Sequence, residues 1–201
     1  YNIKRFKVGH AGTLDPLATG LLVICTGKMT KEINGFVLDS KEYTGVIQLG
    51  ATTPSYDLET EIDATFPTEH IHQDLVNQVI PQFSGTIKQV PPIYSAKKVD
   101  GKRAYDLARK GIEIELKENE IIIIDLELKL VENNQITFKV NCGKGTYIRS
   151  LANDIGKALN SGGHLIELRR TRSGNFTTSD AKSIEEWVEI INNTEVSEEM
   201  S

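Results

Sequence analysis

The stretch Gly9-His10-Ala11-Gly12-Thr13-Leu14-Asp15-Pro16-Leu17-Ala18-Thr19-Gly20 sets three glycines around a single acid. Gly9, Gly12 and Gly20 permit backbone paths that a Cβ forbids, and Pro16 drives Asp15 out of helical geometry into an extended or turn conformation. Two readings follow. Asp15 is an ordinary turn residue before proline, or it is a carboxylate presented to a cleft. The glycines do not make a phosphate loop, because no Lys-Ser or Lys-Thr follows at the P-loop spacing and no Gly-x-Gly-x-x-Gly run occurs.

Outward from this loop, the periodicities predict alternating short elements. Leu21-Leu22-Val23-Ile24-Cys25 reads as a short buried strand, and residues 41–50 alternate like a second one. The acidic stretch from Thr53 to Pro67 reads as a long loop. A helix is expected from Thr68, its candidate cap, through Leu75, Val79 and Ile80, with a break at Pro81. A strand is expected within residues 82–90, a loop over 89–101, and a helix near Arg103 to Lys110 stopped by Gly111. Residues 120–130 and 135–142 read as a hairpin turning at Asn133-Asn134. Ile148, Leu151, Ala152, Ile155 and Leu159 recur every three or four residues, the stripe of an amphipathic helix over 147–159. A strand over 165–176 and a helix over 184–191 complete the chain. Strands and helices are intermixed without repeats, which predicts one α+β domain.

A chain of 201 residues buries one sizeable core, and no apolar run is long enough to cross a bilayer. Cys25 and Cys142 lie far apart without metal-ligand spacing, and both read as small buried hydrophobes in a reduced, cytoplasmic setting. Asp57, Glu59, Glu61 and Asp63 lack the spacing and glycine of an EF-hand and read as a solvated loop, so no metal is expected. The net charge of -5 argues against a nucleic-acid partner until its distribution is read. Residues 179–201 carry seven acids against Lys182, a local -6, which leaves +1 for the rest. Within that rest, Lys97, Lys98, Lys102, Arg103, Arg109 and Lys110 form one basic run, and Arg169, Arg170 and Arg172 another. Each reads either as a solvated face or as a phosphate-tracking surface.

The segment from His10 to Gly20, followed by Gly27 and Lys31, resembles the GHxGTLDPxAxG signature of the TruB pseudouridine synthases. Further blocks match in order: Lys41-Glu42-Tyr43; residues 90–98 (VPPIYSAKK) with 101–105 (GKRAY); residues 143–151 (GKGTYIRSL); Gly163-His164-Leu165; and Leu168-Arg169-Arg170-Thr171. The resemblance covers Val8 to about Gly174. It implies the pseudouridine synthase fold, a mixed and mainly antiparallel sheet flanked by helices with a catalytic cleft across it. It also implies a catalytic domain over residues 1–192 lacking the family's leading strand, an acidic tail over 193–201, and no RNA-binding PUA domain.

The same resemblance implies a cofactor-free isomerase that flips the T-loop uridine of tRNA, numbered 55, and turns it into pseudouridine. Asp15 is the expected catalytic carboxylate, Arg149 its guanidinium partner and Tyr43 the ring against the flipped base. Tyr147 and Leu168 are expected to wall the pocket, and His10 to hold the displaced nucleotide. Lys31, Lys97, Lys98, Lys102, Arg103 and Arg170 are expected phosphate contacts. The implied partner is the tRNA T-arm stem-loop, met by a monomer with no membrane and no metal. Taken singly, Arg149 reads equally as a helix decoration and Tyr43 as a core aromatic. A non-catalytic tRNA-folding factor and a small-molecule enzyme with a nucleotide pocket are the competing readings.

Overall fold

A computed structural model describes residues 7–95, 97–99, 102–105 and 116–194. At the front, β1 (Val8–His10) and β3 (Ile24–Thr26) pair antiparallel, enclosing the Asp15 loop and the short β2 (Thr19–Gly20). A 3-10 turn (Gly27–Lys31) and α1 (Ile33–Leu38) lead into β4 (Lys41–Leu49). The pair β5 (Ala51–Thr52) and β6 (Ala64–Thr65) brackets the acidic loop. Then come α2 (Gln73–Val79), β7 (Gly85–Gln89), and the small pair β8 (Lys98–Val99) and β9 (Lys102–Arg103). The long hairpin of β10 (Asn119–Val131) and β11 (Gln135–Cys142) is followed by α3 (Ile148–Ala158), β12 (Gly163–Ser173), β13 (Phe176–Thr177) and α4 (Ile184–Asn193).

One sheet organises the molecule in the order β13-β12-β4-β11-β10-β7, antiparallel throughout, with β2 added parallel to β12. Alternation decides its two faces. Ile47 and Leu49 of β4, Ile136, Phe138 and Val140 of β11, and Ile121 and Ile123 of β10 point to one side and are buried. There they meet Leu151, Ala152 and Ile155 of α3 and Val76 and Val79 of α2 in a single apolar cluster. Glu42, Thr44, Val46 and Gln48 of β4 alternate with the buried residues and are only partly covered. Ile155 is fully buried, so Ile155→Ala costs about 2–5 kcal/mol. A Cβ on Gly156 meets the backbone of Gly162 and Gly163. That close approach seats the last turn of α3 on the start of β12.

Several sequence expectations change in the structure. Only Ile24–Thr26 of the apolar stretch is strand, and it lies in a two-stranded ribbon with Leu22 and Ile24 exposed while Leu21 and Cys25 are buried. The helix expected from Thr68 begins at Gln73, where His72 caps it by accepting from the Leu75 amide, 3.4 Å away. Pro81 continues it as a 3-10 turn. The hairpin turn, residues 132–134 between paired Val131 and Gln135, contains Asn133 and Asn134, both at positive φ (61° and 56°), a conformation Asn tolerates. The strand expected over 165–176 is interrupted by Gly174 and divided between β12 and β13. The final helix carries a capping box between Ser183 and Glu186. The helix expected near Arg103 to Lys110 and the tail from Glu195 lie outside the described residues, apart from a helical turn at Ala104 and Tyr105.

Candidate active site

The Asp15 loop is pinned to β12. Thr19 and Gly20 pair with Arg169 and Arg170, and the Leu21 amide donates to Arg170 O at 2.8 Å. A Cβ at Gly20 collides with the Arg170 backbone, and its φ of +95° is a conformation that side chains disfavour. The Arg170 side chain completes the staple. Its Nε donates to Leu21 O (2.7 Å) and its Nη2 to Gly12 O (3.2 Å). Between these anchors the Ala18 amide closes a turn onto Asp15 O at 2.9 Å, and the Asp15 side chain faces inward.

There it meets Arg149, from the first turn of α3. Arg149 Nη2 donates to Asp15 Oδ1 (2.8 Å) and Nε to Oδ2 (3.0 Å), a two-point fork. The guanidinium is 4% exposed and the Asp15 side chain 33%, so the acid keeps one face open while its cation is enclosed. Arg149 Nη1 donates to Ser55 O (3.3 Å) and stands 3.5 Å from Asp57 Oδ2. Asp57 is itself buried, its side chain 6% exposed. One guanidinium therefore sits between two carboxylates, one facing open space and one facing the interior.

Asp57 lies on the acidic loop, which is not simply solvated. Thr53 Oγ1 donates to Asp57 O (2.7 Å), Ser55 Oγ lies 2.8 Å from Thr60 Oγ1, and the Glu59 amide donates to Asp57 Oδ1 (2.9 Å). The Leu165 amide ties the loop to β12 through Tyr56 O at 2.9 Å. Tyr56 is held at a φ of +63°, a strained conformation for a non-glycine. The sequence reading misses Asp57. Its available signal is the density of short hydroxyl residues around one acid in Thr53-Pro54-Ser55-Tyr56-Asp57, the composition of a stapled turn rather than a solvated run.

A cleft of about 290 Å³ opens over this clamp. Asp15, Tyr43, Tyr147, Arg149, Leu168 and Arg170 all line it, so the expected reacting pair and the expected aromatic walls come together. Burial pushes the Tyr43 phenol above its usual range, opposed by the Arg170 charge and by a hydrogen bond from it. Tyr147 is likewise raised by burial. Cys142 also lines the cleft, and burial pushes its thiol up to about 11. Lys41 lines it too, but its ammonium donates to the carbonyls of Phe36, Val37 and Asp39 and so caps the end of α1. Burial lowers its pKa.

The expected phosphate contacts divide. Arg170 is 1% exposed and committed to the loop backbone, so it is a brace of the Asp15 loop and not a surface contact. Lys97 spends its ammonium on Lys117 O (3.2 Å) and Asn119 Oδ1 (3.1 Å). Lys31 is exposed at the end of the 3-10 turn, and His10 is exposed on β1; neither lines the cleft. The side chains of Lys98, Lys102 and Arg103 lie outside the described set. Among the described residues, no group of three His, Cys, Asp or Glu side chains could hold a metal.

Residues 1–148 match the TruB family pseudouridylate synthase N-terminal domain, and residues 149–200 match the tRNA pseudouridylate synthase B C-terminal domain. The chain belongs to the TruB family. It is 57% identical over 196 residues to the tRNA pseudouridine synthase B of Phocaeicola vulgatus, covering 98% of this chain and 83% of that protein. It is 58% identical over 184 residues to that of Parabacteroides distasonis, covering 92% and 78%. In three dimensions this TruB-family chain superposes on the crystal structure of a Cbf5-Nop10-Gar1 complex with a TM-score of 0.63 at 30% identity, over 85% of this chain and 41% of that one. An H/ACA RNP bound to a substrate RNA containing 2′-deoxyuridine gives 0.59 at 29%, over 85% and 40%. The mixed sheet with its helices is the pseudouridine synthase fold of the TruB family. The two family segments meet at the start of α3, and Arg149 opens the second while Asp15 belongs to the first.

Proposed function

We propose that this chain is a tRNA pseudouridine synthase that isomerises the T-loop uridine, numbered 55, with Asp15 as the catalytic carboxylate. The observation that carries the site assignment is the fork from Arg149 to Asp15 at the floor of an aromatic-walled cleft. Pseudouridine formation breaks the bond from C1′ to N1, turns the base, and joins C1′ to C5. The C5 proton leaves and N1 gains one, so atoms balance without a group donor or redox partner. A single ionised carboxylate serves each chemical route, whether it attacks C1′, attacks C6, or removes the C2′ proton. The fork aims Asp15 and keeps a fixed guanidinium against it while the entering base strips water from the site.

The target base leaves its stack before it reacts, and the unstacking energy is partly recovered on an aromatic surface. Tyr43 and Tyr147 supply that surface, with Leu168 beside them in the lining. The raised phenol of Tyr43 is neutral at physiological pH, so it enters the reaction as a hydrogen-bonding ring rather than as a preformed phenolate. Exposed Lys31, at the end of the 3-10 turn, supports the reading of a phosphate contact with the T-arm, and exposed His10, on β1, that of a side chain holding the displaced nucleotide. One chain supplies Asp15, Asp57 and Arg149 together, which supports a monomeric enzyme, and the free, buried Cys25 and Cys142 fit a reduced, cytoplasmic setting. Residues 1–192 form the catalytic unit. No helix among the described residues is long and apolar enough to cross a membrane.

The decisive test incubates the protein with an unmodified tRNA transcript and maps pseudouridine by mass spectrometry. Conversion at the T-loop uridine is expected, abolished in Asp15→Asn while tRNA binding persists. Full activity in Asp15→Asn overturns the catalytic assignment; tRNA binding without conversion by the unmodified enzyme favours a non-catalytic folding factor.

A further inference from the structure

Arg149 works only if the first turn of α3 is aimed correctly, yet that turn lacks a cap of its own. The N-cap residue is Tyr147, whose side chain makes no capping bond, and the preceding segment is Gly143-Lys144-Gly145-Thr146 with Gly145 at a φ of +78°. A glycine-rich approach sets the direction of a helix weakly. An anchor for this turn comes from far away in sequence. Gln89, at the end of β7, is 3% exposed and accepts from the Tyr147 amide at 2.8 Å through Oε1. Its Nε2 donates back to Tyr147 O at 3.1 Å. One buried side-chain amide thus holds both polar groups of a single backbone residue, as a neighbouring strand would. One residue beyond β7, Val90 O accepts from Ser150 Oγ at 2.7 Å. Three hydrogen bonds join the end of β7 to the four residues that contain Tyr147 and Arg149.

We propose that Gln89 is a positioning residue for the isomerisation: it fixes the start of α3 so that the Arg149 fork meets Asp15 and the Tyr147 ring stands in the cleft wall. The inference rests on the reading of Asp15 and Arg149 as the reacting pair. Gln89 touches neither the substrate space nor the reacting acid, and it is absent from the cleft lining. It acts through the backbone. Strand β7 is the edge of the sheet and pairs with β10 from Gln89 to Gly85, so the amide is carried on a rigid element. Arg149 lies two residues beyond the clamped backbone, and its fork requires two bonds of 2.8 and 3.0 Å at once. A displacement of about 1 Å in such a constellation is enough to lower a rate by about 100-fold. A buried backbone amide left without its partner also lets water or a shifted backbone into the turn.

The test compares Gln89→Leu and Gln89→Glu in the full chain. It measures the single-turnover rate on saturating tRNA, the Kd for tRNA, and the thermal melt, with Asp15→Asn as control. Gln89→Leu, which removes both bonds, is expected to slow the bound-state reaction by about 10- to 100-fold while Kd changes by less than about 3-fold. Gln89→Glu keeps the acceptor for the Tyr147 amide and loses the donor to Tyr147 O, and its rate is expected between those of the Gln89→Leu variant and wild type. A Gln89→Leu rate within about 2-fold of wild type, or rate and tRNA affinity falling together, overturns the proposal. Where the leucine variant does not melt cooperatively, the glutamate variant decides alone by the same criteria. If Asp15→Asn stays active, it is the site assignment that fails; if Asp15→Asn is dead and Gln89→Leu is not slowed, the positioning role alone fails.

Discussion

Two loops converge on one guanidinium, and they differ in almost every other respect. The loop carrying Asp15 is glycine-rich, pairs through Thr19 and Gly20 with β12, and leaves its acid one-third exposed in a cleft. The loop carrying Asp57 is built from hydroxyl residues, knots itself with short side-chain bonds, and buries its acid almost completely. Arg149 gives the first two aligned hydrogen bonds and the second a single contact at 3.5 Å. The difference separates two jobs that a single ion pair would have to combine. A carboxylate that reacts needs an accessible face, whereas a carboxylate that only holds its cation is better enclosed, where Coulomb attraction is less screened. Burying Arg149 beside Asp15 alone would leave part of the guanidinium without a partner; Asp57 and Ser55 O occupy that part.

The sharpest way to break this division is to neutralise each acid in turn. Asp15→Asn is expected to lower the single-turnover rate by at least about 1,000-fold. Its stability should change by no more than about 1 kcal/mol, since the half-open amide still accepts one bond. Asp57→Asn should do the reverse in emphasis. Losing a buried charge partner costs about 2–4 kcal/mol of stability, read as a fall of about 5–15 °C in Tm, with a smaller rate loss of about 10- to 100-fold. If Asp57→Asn is as inactive as Asp15→Asn yet melts like wild type, the two carboxylates are not divided as described.

A pH experiment sharpens the contrast, because Cys142, Tyr43 and Tyr147, all raised by burial, line the cleft. Cys142 titrates near 9 when exposed and near 11 in the folded chain. The folded state holds its proton more tightly, so the stabilisation is complete below pH 9 and is lost as pH rises toward 11. The expected loss is about 2–3 kcal/mol across that window, measured by denaturant titration. Cys142→Ala should flatten that slope in part, leaving what Tyr43 and Tyr147 contribute above their usual range. An unchanged slope in the variant refutes the assignment to the thiol. The smallest effect belongs to the knot itself: Ser55→Ala removes one hydroxyl from the Asp57 loop and should cost about 1 kcal/mol with the rate within about 3-fold. A larger rate loss there would mean that the knot, and not the buried charge, aims Arg149.

Much of the fold is legible in the sequence. The stripe of Ile148, Leu151, Ala152 and Ile155 marks α3 because burial on one face demands a period near 3.6, and the Asn133-Asn134 turn marks the hairpin because both residues tolerate positive φ. The start of α2 is not legible in the same way. Thr68 has the chemistry of a cap, while His72 closes the helix by a local bond that no propensity announces. Arg170 misleads for a similar reason. Two arginines beside it suggest a basic face, but strand alternation sends Arg170 inward onto carbonyls of the Asp15 loop while Arg169 points out.

The order of residues along this chain determined that an acid stands in a glycine-rich loop ahead of proline, that the signature is that of the TruB family, and that strands and helices are intermixed in an α+β fold. These are local properties, set by backbone freedom, period and spacing. Only the tertiary structure decided which acid shares Arg149 with Asp15, which arginine is buried, and which amide holds the start of α3. Asp57, Arg170 and Gln89 act on partners 92, 158 and 58 positions away, and such pairings depend on how sheet and helix pack, which no window of sequence contains.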